Sequence, residues 1–71
     1  MNQYQNQYGT VYAVRDYKGA PQIMCRAKDD GDWLISGTLD VQAAAAKTAD
    51  EMQAVLDQHA TAHGWQPVDE Q

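Results

Sequence analysis

Two residues constrain this chain more than any others. Lys18-Gly19 stands between two β-rich runs, residues 10–17 (TVYAVRDY) and 21–28 (PQIMCRAK). A two-residue loop with glycine between such runs predicts a tight antiparallel hairpin. Proline at the start of the second run is compatible with that, since a strand tolerates it there. The loop also sets the register: Val14 opposite Ile23, Tyr12 opposite Cys25, Thr10 opposite Ala27. Those six side chains then share one face of the hairpin.

A second turn signal, Asp29-Asp30-Gly31, precedes a third strand-like run at residues 33–39 (WLISGTL). A two-residue Asp30-Gly31 loop would turn Leu34, Ser36 and Thr38 inward. A three-residue loop with Gly31 left-handed in a bulge pairs Ala27 with Trp33 and Cys25 with Ile35. It buries the two largest side chains of the run beside Tyr12, Val14 and Ile23, and an Ile-sized side chain is worth about 1.5–3 kcal/mol when buried. The three-residue loop is the expected one.

The last third reads as helix. Thr48-Ala49-Asp50-Glu51 is a capping box, with the two acids also suited to the positive end of the helix dipole. Met52, Val55, Leu56 and His59 follow at helical spacing, and Gly64 is a stop signal. The helix is placed at 49–63, with 41–47 open between strand and helix. Trp65 is expected to pack back under the helix end. Residues 1–8 read as a tail and 66–71 as frayed. The sum is one small α+β domain over 1–71: a three-stranded antiparallel meander (residues 10–39) with one C-terminal helix on one face, β-β-β-α. Its expected core is Tyr12, Val14, Ile23, Cys25, Trp33, Ile35 and Leu39 under Met52, Val55 and Leu56.

With one helix, the other sheet face has nothing left to cover it. On this register it carries Val11, Ala13, Arg15, Met24, Arg26, Lys28, Leu34, Ser36 and Thr38, an apolar centre with a basic rim. Apolar patches with polar rims mark contact surfaces, and Met and Arg are enriched in them. A partner-binding sheet face of Val11, Arg15, Met24, Arg26, Lys28 and Leu34 is therefore expected. Charge makes a second candidate. The chain carries a net −5, but residues 1–28 hold four cations against Asp16, whereas residues 29–71 hold nine acids against Lys47. Asp29, Asp30, Asp32, Asp50, Glu51 and Asp57 form an expected acidic edge, able to dock on a basic surface such as the nucleic-acid groove of another protein. The sequence does not choose between the two surfaces.

Chemistry-bearing motifs are thin. Asp29, Asp30 and Asp32 lack the later ligands of a calcium loop. His59 and His63 stand at i, i+4 without the glutamate that follows the first histidine in metalloproteases, and two histidines alone make a poor zinc site. A single cysteine, Cys25, excludes an intramolecular disulfide. No metal, cofactor or catalytic residue is expected, and no enzyme. The start of the chain lacks the basic and apolar regions of a signal peptide, and no apolar run reaches about 20 residues, so a cytoplasmic location is expected.

The function expected from these features is a small acidic non-enzymatic module that binds and occludes a partner protein. A homodimeric scaffold and a nucleic-acid-binding module using Arg15, Arg26 and Lys28 are the alternatives. MbtH-like partners of nonribosomal peptide synthetases share the length and element order, but their Ser-Leu-Trp-Pro run and Pro-x-Gly-Trp turn are absent. In size, charge and β-β-β-α economy the chain resembles small acidic phage proteins that inhibit host defence, anti-CRISPR proteins among them. That resemblance is one of architecture; it implies an inhibitor acting in the host cytoplasm and carries no residues over.

Overall fold

The computed structural model describes residues 2–27, 31–36 and 45–68. In chain order these form β1 (Gln3–Gln5), β2 (Thr10–Tyr17), β3 (Ala20–Ala27), β4 (Leu34–Ile35), α1 (Ala49–His63) and β5 (Gln66–Val68). The strands make one antiparallel sheet in the order β4-β3-β2-β1-β5, with α1 on one face. The fold is α+β, and the meander β2-β3-β4 followed by the helix is present in it. The sheet is wider than expected. Residues 1–8, read as a tail, supply β1, and residues 66–71, read as frayed, supply β5. These two short strands pair with each other, Tyr4 opposite Pro67, and β1 pairs with β2, Tyr4 opposite Tyr12.

The first hairpin has the register its loop predicts: Val14 faces Ile23, Tyr12 faces Cys25 and Thr10 faces Ala27. Lys18 and Gly19 both have positive φ, +53° and +86°, as a type I′ turn requires. The turn from β1 to β2 is held by one side chain. Asn6 Oδ1 accepts from the backbone N–H of Tyr8 at 2.9 Å and of Thr10 at 3.0 Å, an asparagine side chain replacing a backbone carbonyl in the turn.

The third strand departs from expectation. Cys25 pairs with Leu34 and Met24 with Ile35, one residue away from the register of a three-residue loop. A one-residue slip sends every side chain to the opposite face. Ile35 and Trp33 therefore lie on the Met24 face, away from the helix, and Leu34 lies on the helix side at the sheet edge, 64 % exposed. Gly31 fits closely here: a Cβ on it would come within 2.9 Å of the Ala27 backbone nitrogen. Leu39, expected in the core, and the open segment 41–47 as far as residue 44 lie outside the described residues.

The helix runs Ala49–His63, as its end signals predict. Thr48 Oγ1 accepts from Glu51 N–H at 3.1 Å, and the Glu51 carboxylate takes the Thr48 hydroxyl rather than a backbone N–H. Gly64 closes it in the left-handed conformation, φ +70°. Its buried stripe is Met52, Leu56 and Ala60, spaced four apart, with Val55 partly buried alongside. Met52 and Leu56 pack on Ile23, flanked by Tyr4, Tyr12, Val14 and Trp65. Trp65 does fold back under the helix end, its ring stacked on Tyr12 at 4.3 Å between centroids.

Candidate functional site

On the face away from the helix, Val11, Ala13 and Met24 are buried, each under 5 % exposed. The apolar centre expected to be open for a partner is thus not accessible. The two described arginines of the expected rim do lie on this face. Arg15 and Arg26 flank the Ala13–Met24 pair along this face, and both guanidinium carbons lie over the Trp33 ring, 4.7 Å and 4.8 Å from its centroid. Trp33 thus stands on the same face as Ala13 and Met24, in contact with both arginines. Sequence reasoning missed Trp33 here because its register was set by the assumption that the largest apolar side chains face the helix.

The arrangement has polar capacity left over. Among the described residues neither guanidinium has a carboxylate partner, and Arg26 Nε is buried without a hydrogen-bond acceptor. A guanidinium presents five N–H donors and stacks well on an aromatic face. Arg15 is exposed and Arg26 half-buried, so the outer donors of the pair stand at the surface. Leu34 is exposed but belongs to the opposite face, and Lys28 lies outside the described residues.

Of the six acids of the expected edge, four are described. Asp29 and Asp30 lie outside the described residues. Asp32, Asp50 and Glu51 are exposed, but Glu51 is engaged in the helix cap. Asp57 is engaged internally, where one of its carboxylate oxygens accepts from the Tyr4 hydroxyl at 2.7 Å and from Gln53 Nε2 at 2.8 Å. The carboxylate holds the Tyr4 phenol above its ordinary pKa, and it ties β1 to α1. Gln53 adds a bond to the Asn2 carbonyl at 3.1 Å. No apolar alternation marks residues 3–5 as a strand, so this tie had no sequence signal beyond the tyrosine itself.

The two histidines stack on each other, 4.2 Å between ring centroids, with the His59 ring edge-on to Trp65 at 4.8 Å. Burial, and then the neighbouring His63, push the His59 pKa below its ordinary value of 6.5. The folded chain therefore takes up this proton less readily than the unfolded chain. The stability it contributes is present above about pH 6.5 and is lost as the pH falls from there towards the lower folded-state value. Urea midpoints are expected to drop between pH 7.5 and pH 5.5, with a shallower drop in His59→Gln. A midpoint independent of pH over that range would remove His59 from the account.

Cys25 is half-buried opposite Tyr12, and burial pushes its thiol above the ordinary value, the direction that disfavours a reactive thiolate. Among the described residues no group of three His, Cys, Asp or Glu is placed to hold a metal ion. No described helix is long and apolar enough to cross a membrane. Comparison with protein-family models, curated proteins and solved structures finds no match, so any functional reading of this chain stands on its own side chains.

Proposed function

We propose that the protein is a non-enzymatic interaction module that binds and occludes a partner protein, with the Arg15–Trp33–Arg26 stack as its contact. The observation that carries this reading is the pair of guanidiniums held on one indole with no carboxylate partner among the described residues. Two like charges held on one indole, one with a buried Nε that lacks an acceptor among the described residues, gain most from an acidic group delivered from outside. Trp and Arg are also the residue types that dominate binding energy at protein interfaces. A carboxylate-bearing protein surface fits this chemistry. A nucleic acid fits it less well, because a net charge of −5 opposes a polyanion.

The test compares two paired variants with the parent chain in affinity capture from the native lysate, followed by titration of the purified partner. Arg15→Glu with Arg26→Glu is expected to weaken binding by about tenfold or more, since opposite charges now meet like ones. Asp32→Lys with Asp50→Lys is expected to leave it nearly unchanged. The reverse pattern would place the contact on the acidic side. Absence of any retained protein, together with a salt-dependent shift of single-stranded DNA, would replace the protein partner by nucleic acid.

A further inference from the structure

A separate cleft of about 480 Å³ lies where the β1–β2 turn faces the end of α1 and the start of β5. Its walls include Gln5, Gln7, Tyr8, His63, Trp65 and Gln66. The volume is within the range of small-molecule sites. In a chain where Asp, Glu, Lys and Arg make up 21 % of residues, none of the side chains lining this cleft is one of them. We infer that the cleft binds a neutral polyhydroxylated ligand, a sugar ring of an oligosaccharide.

The chemistry of the walls selects that class. Primary amides both donate and accept, which matches hydroxyl groups that do the same. Gln7 and Gln66 make no side-chain hydrogen bonds within the described chain, so their amides are available. Tyr8 supplies ring surface for the apolar C–H face of a sugar, while Trp65, its ring stacked on Tyr12, closes the wall beside it. Tyr8 is 76 % exposed, and its side chain does nothing for the turn, which is made by its backbone N–H and by Asn6. A large exposed aromatic with no structural role, beside unused amides, is a feature that binding explains and folding does not.

The walls are also fixed in advance, which lowers the entropy cost of binding. Asn6 N–H donates to the Thr10 carbonyl at 3.0 Å and Gly9 N–H to the Asn6 carbonyl at 3.1 Å, while Gln5 Nε2 bonds the Gly9 carbonyl at 3.1 Å. Opposite them, Trp65 is held by its stack on Tyr12 and by its backbone N–H on the Ala60 carbonyl at 2.9 Å. The cleft and the Arg15–Trp33–Arg26 stack share no residue, so the two readings stand or fall apart.

The experiment is an NMR titration of the whole chain with maltotriose, cellotriose and triacetylchitotriose, each against inorganic phosphate as the anionic probe. One of the three sugars is expected to shift the Gln7, Tyr8 and Gln66 amides and the Trp65 indole N–H, saturating in the millimolar range, while phosphate does not. Tyr8→Ala is expected to keep the dispersed spectrum of the fold, its side chain being exposed, and to weaken the sugar roughly five- to tenfold, the loss of one stacking contact. Tyr8→Trp is expected to restore binding. No saturating shift with any of the three sugars overturns the inference, as does a shift that Tyr8→Ala leaves intact or a stronger one from phosphate.

Discussion

Leu56→Ala is expected to cost about 2–5 kcal/mol and to leave the chain largely unfolded or close to it. Leu56 has no exposed surface and stands at the centre of the helix stripe, between Met52 and Ala60 and against Ile23. Truncation removes the transfer energy of the lost atoms and opens a cavity that a thin core closes poorly. A domain of 71 residues has roughly 4–11 kcal/mol of total stability at typical values per residue. The loss is thus a large share of the whole. Urea unfolding followed by far-ultraviolet circular dichroism measures it. A cost below about 1 kcal/mol would mean that the helix does not dock on Ile23 through this side chain.

The second large effect separates the two tryptophans. Trp65→Ala is expected to destabilise by about 3 kcal/mol and Trp33→Ala by about 1. Trp65 packs against the Ile23–Met52–Leu56 cluster, stacks on Tyr12 and meets His59, and it leads directly into β5. Its loss opens the core and loosens the strand that pairs with β1. Trp33 makes its contacts with two guanidiniums at the other face, where each cation–π contact contributes about 0.5–1 kcal/mol. The order of the two losses, read from urea midpoints, is the measurement. Trp33→Ala costing as much as Trp65→Ala would return Trp33 to the core and overturn the register described for β4.

Binding is expected to sort the same two residues in the opposite order. Trp33 orients both arginines of the proposed contact, whereas Trp65 belongs to the core and to the uncharged cleft. A protein whose fold rests on one tryptophan and whose partner contact rests on the other would explain why a chain this small keeps two.

Legibility followed the range of the interactions. The β2–β3 hairpin could be read to the residue because its loop is two residues long and glycine-bearing, and a tight loop leaves one register. The helix could be read to the residue because both end signals are local: a threonine hydroxyl three residues before the N–H it caps, and a glycine at the left-handed stop. The register of β4 could not, because a longer loop permits several pairings that differ by one residue and the choice rests on what covers each face. The second sheet face was misread for a related reason. Counting elements leaves no cover for Ala13 and Met24, yet both are buried. Asp57 could not be read as an internal tie, because its partners include Tyr4, more than fifty residues away in sequence.

Sequence by itself determined the α+β class, the first hairpin with its facing pairs, the helix and both its ends, and the return of Trp65 beneath it. Each of these depends on side chains and turns that act over a few residues or on the periodicity they repeat. Tertiary structure alone decided that both termini add strands to the sheet, that Trp65 and not Trp33 fills the helix side, and that Arg15 and Arg26 share one ring. Those outcomes depend on competition for space among segments far apart in the chain. A side chain's own preferences do not specify which of two tryptophans arrives at a given face; the volume left there by all the others does.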